Sequence, residues 1–270
     1  MPYQCPLCQQ PLDKNDHQWR CANNHQFDCA KEGYVNLMPV QHKHSKQPGD
    51  STEMMQARRA FLDQNYYQPL RDAVCQAIKA HMAPQTRRIL DIGCGEGYYT
   101  SEVAKQFSEQ DIAVFGLDIA KVAIRYAAKR YPTVSFCVAS SHRLPYADAS
   151  MDAVVRIYAP CKAEELARVV APEGILVTVS PAPRHLYQLK EQVYDTVQLH
   201  AENTESFEGF TLIDDQQLAY TMMLPGEQAA NLLQMTPFAW RATPDVAETL
   251  KNSTEFECET DFAIRVYRRD

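Results

Sequence analysis

No run of about 18 apolar residues occurs in the 270-residue chain, so no segment reads as a membrane-spanning helix. The opening residues, MPYQCPLC, lack the basic-then-apolar layout of a secretory signal. A cytoplasmic location is the expectation. A disulfide framework is missing as well: the nine cysteines are odd in number, and Cys75, Cys137 and Cys258 stand alone in apolar stretches as buried packing residues would. Positive charge is scarce, with a formal net charge of -7 that argues against a nucleic-acid partner spread over the whole surface. The scarcity is uneven. Residues 41–88 hold eight Lys and Arg against four Asp and Glu, so a basic patch, or simply a solvated helix face, is confined to that stretch. With 45% hydrophobic and 23% charged residues, neither disorder nor a fibrous class is indicated, and the length suits one large domain with a small appendage.

That appendage is residues 1–38, where Cys5, Cys8, Cys21 and His25 follow C-x2-C-x12-C-x3-H. Two cysteines two residues apart offer both sulfurs to one ion from a tight knuckle, and the second pair closes a tetrahedron. Four protein ligands leave no open position for a reacting water, so one zinc ion per chain, structural in role, is expected. A module this small would hardly hold a core without it. His17 and Cys29 rank as bystanders. Residues 39–84 read as a linker (39–50, with two prolines and a glycine) followed by two helices. The first is capped by Asp50 or Ser51 and carries Arg58 and Arg59 as phosphate-contact candidates; the second runs from about Tyr67 to His81.

Residues 85–270 form the main domain. RRILDIGCGEGYYT is an apolar strand running into three glycines and then a helix. Gly93, Gly95 and Gly97 follow G-x-G-x-G and depart from the G-x-G-x-x-G of dinucleotide folds. Such a bare loop lets backbone approach a ligand without pyrophosphate, such as S-adenosylmethionine, with Asp91 available to its cationic end. About 20 residues on, strand IAVFGLD ends in Asp118, where a carboxylate can accept both ribose hydroxyls. Strands at 134–140, 151–159 and 175–181, a helix at 161–170 and late strand-like runs at 209–224 and 255–268 complete a doubly wound, mostly parallel α/β sheet with an antiparallel edge. Ligands belong beyond the carboxyl ends of its strands, in the loops that also hold Ser140 to His142, Tyr158 to Cys161 and Pro181 to His185. Tyr158 and Cys161 either touch ligand or pack beneath the loop, and Ser140 to His142 either touch ligand or only turn the chain. Tyr158, Phe238 and Trp240 are candidate base stackers, although TPFAW reads first as a core plug.

Taken together, CPLC, HQFDCAKEGYVNLMPVQHKHS, PGDSTEMMQARRAFLD, LDIGCGEGYYT, CVASSHRLPYAD, RIYAPCKAEELARVV and LLQMTPFAWRA resemble the bacterial 23S rRNA (guanine-N1)-methyltransferases. The resemblance covers nearly the whole chain. It implies a class I, Rossmann-like methyltransferase with a zinc-ribbon-like N-terminal domain, acting as a homodimer on N1 of a guanine in a hairpin loop of 23S rRNA; relatives act on either of two neighbouring guanines. It also implies cofactor contacts from Tyr67, Gly95, Glu96, Asp118 and His185, of which Tyr67 and His185 follow from the resemblance alone. No general base is named. Two rival functions remain: a small-molecule methyltransferase, which has no need of the zinc module, and a non-catalytic zinc-ribbon RNA-binding or assembly protein.

Overall fold

The computed structural model describes residues 3–39, 51–202 and 204–270; the linker expected at 39–50 lies, beyond Pro39, outside the described residues. The N-terminal module is a three-stranded antiparallel sheet, β1 (Asp13–Asn15), β2 (Gln18–Arg20) and β3 (Gln26–Asp28). Strands of three residues bury little of their own, and most of this surface is exposed. Its apolar side chains are spent on the main domain. Tyr3 sits edge-on to Trp19 at 4.9 Å on one side and meets Tyr146 at 5.3 Å on the other. A short strand, β4 (Val35–Asn36), then runs parallel to β7 (Ser135–Val138), with Val35 opposite Cys137. The ribbon and the sheet thereby share one hydrophobic core that includes Leu12, Trp19, Phe115 and Tyr146.

Helix α1 (Thr52–Leu62) starts where Ser51 Oγ accepts the amide N–H of Met54, the expected cap. Helix α2 (Gln68–His81) begins with Pro69 in its first turn and buries Leu70, Val74 and Ile78 on one stripe. The large sheet is built from β5 (Arg88–Ile92), β6 (Ala113–Asp118), β7, β8 (Met151–Ile157), β9 (Val170–Pro181), β10 (Phe210–Leu224) and β11 (Phe256–Arg269), with β4 on its edge. Its order is β10-β11-β9-β8-β5-β6-β7-β4, all parallel except the β9-β11-β10 edge. Helices α3 (Tyr98–Gln106), α4 (Lys121–Arg130) and α5 (Ala163–Val169) make the crossovers. The chain winds outward from β5 to β7, then returns past β5 to β8. That reversal places the switch point between β5 and β8, where a ligand crevice opens in such sheets.

The late strand-like runs form the expected antiparallel edge. Three helices there gave no sequence expectation: α6 (Tyr187–Glu191), α7 (Gly226–Gln234) and α8 (Pro244–Asn252). Cys75, Cys137 and Cys258 are buried as expected. TPFAW forms a 3-10 turn, Pro237–Trp240. Phe238 is half-buried, but Trp240 is 77% exposed, which corrects the core-plug reading: the turn tucks one aromatic under and leaves the other in solvent.

Candidate active site and metal centre

At the end of β5 the chain turns through Gly93, Gly95 and Gly97 with φ of 73°, 54° and 85°, a region costly for residues that carry a Cβ. The amides of Gly93 and Cys94 both donate to the carbonyl of Leu117, and Gly97 starts α3. The three glycines differ in their surroundings. A Cβ on Gly93 would lie 2.5 Å from that of Ala159, whereas one on Gly95 would project into open space. Gly95 is therefore the point where a ligand can reach bare backbone.

Asp118 closes the loop from β6. Its Oδ2 accepts the Gly95 amide N–H at 2.9 Å and its Oδ1 that of Ala120 at 2.8 Å, so the carboxylate braces the loop and the start of α4 together. Asp91 lies under the loop, 4% exposed, and accepts Thr100 Oγ1–H at 2.6 Å. Burial pushes its carboxyl up to about 7, against the stabilising effect of the Thr100 hydroxyl. Buried and bonded to Thr100, it makes no surface at which a ligand could touch it directly.

Glu96, next in the loop, takes two hydrogen bonds from Arg59 on α1. Arg59 also stacks 4.0 Å above the ring of Tyr126, and Arg58 donates to the carbonyl of Met235. Both guanidiniums expected to meet phosphate are instead engaged within the protein. Nothing in the sequence linked Arg59 to Glu96; only the docking of α1 beside the loop brings them together.

On the β8 and β9 side, Tyr67 and His185 meet through a third ring. Phe262 lies edge-on to Tyr67 at 5.3 Å and 4.7 Å from His185. Tyr67 is buried, and its hydroxyl is held protonated by the low-polarity surroundings. His185 is buried too, which drives its imidazole down to about 3 and keeps it neutral near pH 7. Its Nδ1 accepts the backbone N–H of Asp261 at 3.2 Å, so the ring proton belongs on Nε2, which meets Tyr158 Oη at 3.4 Å. Tyr158 adopts φ 53° and is 47% exposed. With that exposure it does not pack beneath the loop. Ser140 Oγ accepts the amide of His142, a turn contact, and the Cys161 thiol donates to the carbonyl of Ser141.

The four expected metal ligands converge. Cys8 Sγ and Cys21 Sγ are 3.7 Å apart, His25 Nδ1 lies 3.4 Å from both Cys5 Sγ and Cys21 Sγ, and all four atoms fall within 4.8 Å of one another. Tetrahedral zinc with Zn–S of about 2.3 Å requires sulfurs roughly 3.8 Å apart. The donor set and its spacing therefore fit zinc, and three sulfurs with one imidazole close the coordination sphere. A backbone N–H from Gln10 lowers the Cys8 thiol to about 6, whereas burial raises that of Cys5 to about 11, so the fit to zinc rests on the donor set and its spacing. His17 and Cys29 stay outside the cluster.

Comparison with known proteins settles the family. Residues 3–46 match the zinc-ribbon model described as RlmA, N-terminal, and residues 85–229 match a methyltransferase-domain model. The chain is 32% identical over 247 residues to the 23S rRNA (guanine(748)-N(1))-methyltransferase of Streptomyces fradiae, covering 89% of this chain and 86% of that protein. The chain belongs to the 23S rRNA (guanine-N1)-methyltransferase family. Another member, YxjB of Bacillus subtilis (strain 168), provisionally named for the same activity, is 28% identical across 98% of this chain and 96% of its own. Among solved structures, a chain from the Haloferax volcanii complex between the Trm112 methyltransferase activator and a methyltransferase aligns with a TM-score of 0.50 at 17% identity, over 82% of this chain and 99% of that one. That likeness concerns the fold alone. The protein is an S-adenosylmethionine-dependent methyltransferase of class I with a zinc ribbon, and no helix among its described residues is long and apolar enough to cross a membrane.

Proposed function

We propose that this methyltransferase transfers the methyl group of S-adenosylmethionine to N1 of one guanine in a hairpin loop of 23S rRNA, in the cytoplasm and as a homodimer. The observation that carries the reading is the ribbon's place in the fold. A zinc module bonded into the edge of the sheet through β4 belongs to the enzyme's architecture, and the relatives named for this activity match over ribbon and sheet alike. A small-molecule methyltransferase has no use for such a module.

In this reading Tyr67, Gly95, Glu96, Asp118 and His185 hold the cofactor, and Cys5, Cys8, Cys21 and His25 the zinc. Residues 1–38 form the zinc-binding domain, 39–84 the linker and helical segment and 85–270 the methyltransferase domain. The bound cofactor supplies an electrophilic methyl on a cationic sulfur. What remains for the chain is positioning. The open face of Gly95 admits the donor's amino-acid end, the Asp118 carboxylate that braces the loop would take the ribose end, and the Tyr67–Phe262–His185 wall would exclude water. Neutral His185 donates Nε2–H to Tyr158, which leaves the phenol O–H to donate into the crevice, where a carbonyl acceptor such as guanine O6 would be oriented. Because N1 lies on the pairing edge, the base must leave its helix or loop stack to enter.

A tritium-transfer assay tests the reading: zinc-loaded protein, labelled donor, and three acceptors (deproteinised 23S rRNA, assembled subunits and a small-molecule extract). Label is expected on rRNA, with 1-methylguanosine as the only modified nucleoside after digestion. Label confined to the extract refutes the assignment, and failure of the donor to bind by calorimetry refutes catalysis altogether.

A further inference from the structure

A cavity of about 570 Å³ lies in the chain that follows β9, enclosed by α6, the 194–201 segment and the 3-10 turn. Two aromatic rings form its walls: Tyr194 and Phe238 meet edge-to-face at 6.1 Å. Each carries a cation. The Lys190 ammonium lies 6.0 Å from the centre of the Phe238 ring and the Arg241 guanidinium 6.0 Å from that of Tyr194. Among the described residues no carboxylate lines the cavity, although the whole chain carries a net charge of -7.

The polar groups facing this space are under-satisfied. Lys190 is only 5% exposed, yet its ammonium meets a single distant acceptor, the Gln198 carbonyl at 3.5 Å. No described carboxylate reaches it within ion-pair distance. An ammonium carries three donors, and burying it unpaired is costly, so an anion is the group that completes this site. The lining residue His200 also has a buried Nε2 that lacks a hydrogen-bond partner among the described residues. Stacking faces beside unpaired cations are the chemistry of single-stranded nucleotide recognition, in which the base lies on a ring and the phosphate on a cation.

The cavity is set apart from the methyl-transfer crevice by one ring. His185 stands between them, its centroid 6.0 Å from Tyr158 on one side and 6.4 Å from His200 on the other. The target guanine must enter on the Tyr158 side, so the space beyond His185 suits its neighbour in the strand. We infer that this cavity is the subsite for an unpaired nucleotide adjoining the target guanine, its base against Phe238 and Tyr194 and its phosphate between Lys190 and Arg241. The inference rests on the rRNA reading above and adds where that strand runs.

The experiment compares zinc-loaded wild type with Arg241→Ala and Phe238→Leu. Filter binding of deproteinised, unmethylated 23S rRNA is followed over a salt series, and S-adenosylmethionine affinity is measured by calorimetry. Phe238→Leu is expected to weaken RNA binding by roughly tenfold. Arg241→Ala should lower the slope of log affinity against log salt by about one. Cofactor affinity and melting temperature should stay at wild-type values in both. Wild-type RNA affinity and salt slope in both variants overturn the cavity assignment and leave the rRNA reading intact. Wild type that neither binds nor methylates the RNA overturns both. If Phe238→Leu melts early, exposed Arg241 decides the question alone.

Discussion

Arg59 donates Nε–H and Nη2–H to the two oxygens of Glu96, each at 2.6 Å, and so ties α1 to the second half of the glycine loop. The pair is half-buried, and its geometry is the parallel two-bond fork that a guanidinium makes and an ammonium cannot. Removing it should cost little global stability, about 1 kcal/mol or less, but should free the loop that seats the cofactor. Arg59→Ala and Arg59→Lys are both expected to weaken S-adenosylmethionine binding, the former by roughly tenfold, or ~1.4 kcal/mol. Equal cofactor affinity in wild type and Arg59→Ala, measured by calorimetry, would show that the strut is decorative.

Asp118 braces two backbone amides in the structure and is proposed to bind the ribose as well. Asp118→Ala therefore removes a charged acceptor and strands the Gly95 and Ala120 N–H groups. Cofactor affinity should fall by about 1.5–3 kcal/mol, the usual worth of a hydrogen bond to a charged group. Asp118→Asn keeps one acceptor oxygen and should lose less. If the two variants bind alike, the loss comes from loop disorder and not from the ribose contact.

These two residues mark how far the sequence could be read. Asp118 was legible because a carboxylate ending the strand after a glycine loop is a local pattern, as were the Ser51 cap and the strand-like runs that became β10 and β11. The Arg59–Glu96 pair was not, since no periodicity relates residues that meet only when a helix docks. β4 escaped notice because two residues carry no alternation signal. The sequence also put a helix end at residue 170 and a strand start at 175, whereas β9 begins at Val170 directly after α5. Yet the ladder jumps from Val170 to Ile175 and Glu173 has φ 62°, so residues 171–174 bulge out between paired stretches and regular pairing does begin at 175. Trp240 was misjudged for the opposite reason: an aromatic-rich run suggests burial, and only the 3-10 turn decides which ring faces water.

Zinc removal should be felt beyond the ribbon. Tyr3 packs on Phe115 and Tyr146, and β4 is bonded to β7, so unfolding the knuckle uncovers the sheet. Chelation, or Cys5→Ser, is expected to lower the melting temperature of the whole chain by several degrees, at about 2–4 °C per kcal/mol for a domain of this size. Far-UV circular dichroism and tryptophan fluorescence, the latter sensitive to buried Trp19, should report a single coincident transition in the zinc-loaded protein. Two separate transitions there would show that ribbon and sheet are energetically independent.

Asp91 and His185 make opposite contributions to the pH dependence of stability. The Asp91 carboxyl is raised to about 7 by burial, so between the ordinary carboxylate range and pH 7 the folded state holds a proton that the unfolded chain has released. Stability from this group is present at low pH and is lost as pH rises through 7. The His185 imidazole is lowered to about 3. The unfolded chain therefore takes up its proton first, near pH 6.5, and stability from His185 is lost as pH falls from there toward 3. Asp91→Asn should flatten the decline between about pH 4 and 7, by at most about 4 kcal/mol for a shift of some three units, and so uncover the opposing His185 limb in the same range. His185→Gln should flatten the limb between pH 6.5 and 4. Urea midpoints measured across pH 4–9 separate the two. The positively charged donor adds a further consequence: it favours ionised Asp91, so its affinity should rise with pH through 7 in wild type and stay level in Asp91→Asn. Parallel affinity curves for the two proteins would mean that the Asp91 charge does not reach the cofactor.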